Sequence, residues 1–250
     1  MTAEMVIEAL DIPQGARVDQ RIAKKLLIEN VAATASDKRH INEGIEELIW
    51  VAALKPNTVG VPEYRDDSRE VLEIAVLHLI LREGAKVTRV VELIHRAIPY
   101  PTFLVTTSGD GIALSLATKR WSQNEGGKTV LDEEPLTVEI EDESQCEPFL
   151  TSLSLRHQKR PNLHELYLNW KVQFEAFQTS AYTGVFSPSL SSEVAEKRKT
   201  ALVSASAIQQ ELISLRAKAE RETQMNRRVQ SNLDIKRLEE ELRNAIKDME

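Results

Sequence analysis

The sequence predicts an α/β (or α+β) N-terminal domain with a mixed sheet, followed by a long C-terminal helical coiled-coil segment. Three observations carry that expectation. Residues 74–81, IAVLHLIL, are apolar except for one histidine, as a strand buried on both faces should be. After them Val87, Val90, Val91, Leu93, Ile94 and Ala97 recur at helical spacing until Pro99 and Pro101 stop the helix. Finally, residues 193–250 contain no Pro or Gly and are rich in Ala, Leu, Glu, Lys, Arg and Gln, all good helix formers.

The other elements follow in order. Met5, Val6, Ala9 and Leu10 mark a short helix that Pro13 and Gly15 end. Residues 17–28 are too irregular in period to assign. Thr34 or Ser36 caps the next helix, with Asp37 favouring its positive end, and Ile41, Ile45, Leu48 and Ile49 extend its apolar face. Residues 51–61, interrupted by Pro56 and Gly60, read as extended, and 71–81 as the buried strand. A strand at 102–107, a glycine turn at 108–111 and a strand at 112–119 form a hairpin, and Leu136, Val138 and Ile140 alternate as one more strand. These elements make up a domain over 1–155. Leu163, Tyr167, Trp170, Phe174 and Phe177 stripe a helix over 156–182 that packs on this domain. TGVFSPSLSS, at 183–192, is a linker.

The remaining segment, 193–250, reads as a coiled-coil helix or a helical hairpin. Ile208, Leu212, Leu215 and Ala219 keep a 4-3-4 spacing, with Val229 and Leu233 in the same frame. Ile235, Leu238, Leu242, Ala245 and Met249 keep heptad spacing in another frame. A frame change marks a stutter, a break between two helices or a change of partner. A single rod would reach about 80 Å. Either form leaves an apolar stripe that has to meet another surface, so a protein partner or a second copy of the chain is expected there.

Composition narrows the function classes. The 250 residues are 42% hydrophobic and 28% charged, which excludes fibrous and wholly disordered chains and suggests one or two small domains. The single cysteine, Cys146, supports neither an internal disulfide nor a thiolate metal cluster, and points to a reducing compartment. No apolar run approaches the roughly 20 residues that cross a bilayer, and MTAEMVIEALDIP lacks a signal pattern, so a soluble cytoplasmic protein without membrane contact is expected. The net charge of −7 is uneven, with +1 over residues 193–250 and −8 before them. Eight carboxylates fall in residues 132–147 with no Lys or Arg, a run that reads as a solvated edge strand and loop, or as a surface for a basic partner.

No complete catalytic constellation is present. SQNEGGKT, at 122–129, misses the phosphate-loop pattern by its first Gly and leads into an acidic stretch, which favours a glycine hairpin turn. Glu63, Asp66, Asp67, Glu70 and Glu73 cluster before the buried strand, as metal-holding nuclease carboxylates do, but Glu73 lacks a lysine two residues on. Glu63, Asp67 and Glu73 with Lys86 as a substitute are the catalytic candidates. The five histidines form no metal-ligand pair, GxSxG is absent, and no cofactor or metal site is expected. Basic residues gather at Arg21, Lys24 and Lys25, at Lys119 and Arg120, and at Arg156, His157, Lys159 and Arg160. These lysines and arginines are the candidate phosphate contacts.

Several short motifs, taken in order, resemble a bacterial family, domain-of-unknown-function family 4391. They are RIAKKL at 21–26, the segment 50–55, IPYP at 98–101, ATKR at 117–120 and NRRVQSNLDIK at 226–236. The likeness covers nearly the whole chain, with Ile22-Ala23-Lys24 where the family usually has Ile-Pro-Lys. Members look like companions of helicases and DNA methyltransferases in phage-defence clusters, so the resemblance implies a DNA-related role with such a partner. Together these readings lead to a non-catalytic accessory subunit of a DNA-acting anti-phage assembly. A divergent metal-dependent nuclease and a structural scaffold without DNA contact are the alternatives.

Overall fold

The computed structural model describes residues 1–31, 34–123, 126–140, 143–188 and 192–249. The chain divides into two compact units, Met1–Phe174 and Glu175–Glu250.

The first unit begins with α1 (Ala3–Ala9), whose Thr2 cap accepts from the Met5 amide. A 3-10 turn leads into β1 (Arg17–Arg21), and α2 (Lys24–Asn30) follows. The irregular period of residues 17–28 is therefore the junction of a strand and a helix. Thr34 and Asp37 form a reciprocal capping box on α3 (Ala35–Gly44). The helix does not run on through Ile49, because Ile45 already opens β2 (Ile45–Leu54). Register shifts between Ile45 and Glu47 and between Trp50 and Ala52 explain the misleading spacing. The first irregularity adds a residue between Ile45 and Leu48, which both pack into the core under the helices, so their three-residue spacing mimics a helix.

A short helix, α4 (Pro56–Val59), and the small hairpin of β3 (Tyr64–Arg65) and β4 (Glu70–Val71) precede β5 (Ile74–Leu81), which is buried along almost its whole length. Then come α5 (Val87–Ala97), β6 (Thr102–Ser108) and β7 (Gly111–Ala117). The chain does not continue as one strand to Lys119. After Ala117 it re-pairs as β8 (Lys119–Trp121) with β9 (Thr129–Leu131), a hairpin carrying the expected turn, whose Asn124 and Glu125 lie outside the described residues. β10 (Leu136–Ile140) closes the main sheet, ordered β1-β2-β5-β6-β7-β10. Among the described residues of this sheet, β5 and β6 alone pair in parallel, as the α5 crossover between them requires. Glu141 and Asp142 of the acidic run are outside the described residues, and from Glu143 the run is helical, in α6 (Glu143–Leu153).

One core lies under α2, α3 and α5, where Leu27, Ile41, Leu48, Leu77, Leu79, Leu93, Ile94 and Leu104 pack together. Phe103, next to Leu104, points to the opposite sheet face, as alternation in a strand demands. There it meets Trp170 and Phe174 of α7 (Leu163–Thr183) edge to face at 5.0 and 5.7 Å. Buried Tyr167 ties the helix to the sheet, its hydroxyl accepting from the Ala117 amide at 2.7 Å and donating to the Thr102 carbonyl at 2.8 Å.

The second unit contains α8 (Ser192–Arg221) and α9 (Met225–Lys247), joined across residues 222–224. The segment is a helical hairpin and not a rod. Ala201 and Ala205 pack against Ala245 and Met249, and Leu212 and Leu238 are buried further along. The two heptad frames thus belong to two helices of one chain. Val229 and Leu233, which share the first frame by spacing, are 52% and 56% exposed and lie outside the seam. Among the described residues, no helix is long and apolar enough to cross a membrane.

Candidate functional site

The carboxylate candidates are held by local partners. Arg65 lies 3.4 Å from Glu63 and 3.0 Å from Glu70, and Lys55 lies 3.0 Å from Glu73. Between them, Asp66 closes the β3–β4 turn by accepting from the Ser68 and Arg69 amides at 2.7 and 2.8 Å. Hydrogen bonds from Ser68 and Tyr64 keep the Asp66 carboxyl well below the usual carboxylate range. Asp67 is exposed. Glu73 is buried, and its Oε1 has no hydrogen-bond partner. Lys86 does not join this group, because Glu73 precedes β5 and Lys86 follows it. Eight residues at about 3.3 Å each put roughly 25 Å of strand between them, so Lys86 cannot replace the missing lysine. Among the described residues, no group of three or more His, Cys, Asp or Glu could hold a metal ion.

The basic candidates do not gather into one surface either. Lys24 donates to the Asn42 carbonyl at 3.0 Å and also to that of Ile45, while Arg82 donates to the Asn42 and Glu43 carbonyls at 3.1 and 3.3 Å. Both cations therefore cap the C-terminus of α3, where unpaired carbonyls and the helix dipole attract positive charge. Burial, together with the charges of Arg82 and Arg21, pulls the Lys24 pKa down. Arg21 lies 3.5 Å from Glu47 and Lys25 3.7 Å from Glu29. A cavity of about 340 Å³ opens beside Arg21, Lys24, Glu46 and Glu47, so its lining carries both signs of charge. Arg120 pairs with Asp132 at 3.3 Å and Arg156 with Asp11, whereas Lys159 and Arg160 are exposed.

Lys119 is the sharpest departure from the sequence reading. It is 3% exposed, and its ammonium donates to the carbonyl of His95 and, at 2.8 Å, to that of Ile98. It completes the C-terminus of α5 from beneath, and burial lowers its pKa to about 7. His95, fully buried on the same helix, meets Ser115 at 2.9 Å through Nε2, and its Nδ1 has no partner. Burial, helped by nearby Lys119, holds its pKa down to about 3. This buried polar group is not legible in the sequence, where His95 is one more position on an amphipathic helix. A second cavity, of about 360 Å³, runs past Asn30, Arg96, Tyr100, Trp121 and Lys128 beside the same helix end.

In the second unit, Leu212 and Leu238 are buried and Ile208, Leu215, Ile235 and Leu242 half-buried, so these interface candidates face the hairpin's own seam. Met249 is buried with them. Met225, Val229 and Leu233 are exposed at i, i+4 and i+8 along the start of α9. Charged side chains are unequally matched. Arg216 bridges to Glu239 at 2.7 Å and Arg237 to Glu241 at 3.7 Å. Lys218, Arg221, Arg227, Arg228 and Lys236 are exposed. Among the described residues, none of these five forms an ion pair or side-chain hydrogen bond.

A family model described as Domain of unknown function (DUF4391) matches residues 10–242. No curated protein and no solved structure matches the chain.

Proposed function

The chain belongs to the DUF4391 family, and from that premise we propose that it is a non-catalytic accessory subunit of a DNA-acting bacterial anti-phage assembly. In this reading the hairpin of the second unit meets a helicase, a DNA methyltransferase or DNA. The observation that supports it most directly is the outer face of α9. The seam is filled from within the chain, yet Met225, Val229 and Leu233 remain in solvent, 70%, 52% and 56% exposed. Large apolar side chains aligned on one helix face suit a protein contact. The first unit supplies the complementary argument, because its candidate carboxylates Glu63 and Glu73 already neutralise Arg65 and Lys55.

The test is to purify the tagged full-length chain from its own cell beside the Val229→Glu/Leu233→Glu variant. Recovery of a helicase or methyltransferase with the native chain, and its loss with the variant, supports the proposal. Equal recovery with both chains, or none with either, counts against it.

The metal-dependent nuclease is a second reading, favoured by the partnerless buried oxygen of Glu73. Incubation with DNA and Mg²⁺ or Mn²⁺ separates the two. Cleavage that disappears in Glu73→Gln would replace the accessory reading, and no cleavage by the native chain would retire the nuclease.

A further inference from the structure

We infer that the tip of the α8–α9 hairpin is a binding surface for the phosphate backbone of duplex nucleic acid. This rests on the DNA-associated reading above and gives it a location that differs from the basic residues singled out by sequence.

Residues 216–237 carry seven Lys or Arg against three Asp or Glu, in a chain whose net charge is −7. Folding gathers this excess at one end. The break at 222–224 reverses the chain, and the 2.7 Å bridge from Arg216 to Glu239 sets the two helices side by side next to it. Lys218 and Arg221 in the last turn of α8 therefore share an end of the hairpin with Arg227 and Arg228 near the start of α9, and with Lys236 above them. Of the carboxylates in this stretch, Glu222 accepts from the Gln224 amide at 2.8 Å and Asp234 from Gln230 at 3.4 Å, and among the described residues none forms an ion pair with these five side chains. The first turns of α9 hold no acidic residue, and arginines there oppose the helix dipole. The one carboxylate at this helix start, Glu222, is taken up by the Gln224 amide, so an external anion would offset the remaining repulsion.

The chemistry of the tip selects among polyanions. No Phe, Tyr or Trp follows Phe186, so the hairpin has no ring on which unpaired bases could stack, which argues against single strands. The same lack, with an apolar stripe of only Met225, Val229 and Leu233, makes a poor membrane anchor. Cations spread around both helices, with Asn226, Gln230 and Asn232 between them, suit a duplex whose phosphates line two sides of a groove.

The test is fluorescence anisotropy of the full-length chain with a labelled DNA duplex across a salt series. Five phosphate contacts predict that log K falls with log salt at a slope of about −4.5. Arg227→Glu/Arg228→Glu should weaken binding at least about tenfold and make the slope shallower by about 2. Lys218→Glu/Arg221→Glu, on the other helix, should do the same, and circular dichroism should report native helicity for both because all four side chains are exposed. Lys159→Glu/Arg160→Glu in the first unit should leave binding unchanged. Native-strength binding by both tip variants would overturn the location while leaving DNA association intact. No duplex binding by the native chain would sink the location and the DNA association together. Binding to vesicles of anionic phospholipid in preference to the duplex would overturn the inference in favour of a membrane surface.

Discussion

Some lysines and arginines of the first unit serve its own fold, whereas those at the tip of the hairpin in the second do not. In the first, Lys24 and Lys119 turn inward and donate to carbonyls at the ends of α3 and α5, and Arg89 holds buried Asp37 at 2.8 Å. In the second, Lys218, Arg221, Arg227, Arg228 and Lys236 face solvent. The contrast follows from architecture. Helices that end against a sheet leave carbonyls in places water cannot reach, and a long cation is among the few groups able to satisfy them from below. Two antiparallel helices bury only a narrow seam, and their remaining faces are free to carry charge outward. Basic residues in such a chain are therefore informative about partners only after the internal acceptors have been assigned.

The strongest way to break this comparison is Lys119→Ala. If the ammonium is structural, its loss leaves two buried carbonyls unpaired and a void beneath α5, and urea unfolding should show a loss of about 3–4 kcal/mol. A change within 0.5 kcal/mol, a threshold set by ordinary surface substitutions, would return Lys119 to the candidate phosphate contacts. Next in size is Leu238→Glu, which puts a charge in the hairpin seam and should cost about 3 kcal/mol, read as early loss of helical ellipticity on heating.

Acid titration sharpens the picture of the first unit's interior. His95 has its pKa depressed to about 3 against 6.5 unfolded, so the unfolded chain binds more protons between those values. The stability it contributes is complete above pH 6.5 and falls as the pH drops toward 3, by at most about 1.4 kcal/mol per unit. His95→Gln should flatten that part of the stability profile, and an unaltered profile would place the acid sensitivity elsewhere. Lys119 gives a slope of the same sign at higher pH, because its folded pKa of about 7 lies below the unfolded value, so stability rises from pH 7 toward 10.

A smaller loss is expected for Asp37→Asn. Burial opposes its charge, yet hydrogen bonds from Thr34 and Arg89 hold its carboxyl below the ordinary range. Weakening the capping box and the Arg89 contact should cost about 1–2 kcal/mol by denaturant titration. The smallest effect belongs to Val229→Ser, predicted to change stability by less than about 0.5 kcal/mol because the side chain is 52% exposed. A loss as large as that of Leu238→Glu would mean that Val229 belongs to the seam after all.

Particular elements show how far the sequence could be read. The α5 helix, the turn between β6 and β7, the alternation of β10 and the Thr34–Asp37 cap all depend on residues close together in the chain, and each is found at or near its expected place. β2 is less legible, because its irregular register disguises strand period as helical period. The candidate sites were least legible. Whether Lys119 meets a phosphate or the end of α5 depends on residues more than twenty positions away. Nothing in the spacing of Lys119 and Arg120 tells a buried cation from a paired surface one.

By itself, the sequence determined the segmental plan: an α/β domain, an aromatic helix and a helical tail with two apolar frames. These follow from hydrophobic period and from proline and glycine, which act over a few residues. Only the tertiary structure decided that the two frames close on each other, that Val229 and Leu233 stay outside, and that one set of cations faces inward while another faces solvent. Ion pairing and burial depend on distances across the fold, and the chain specifies those only once its local elements have packed.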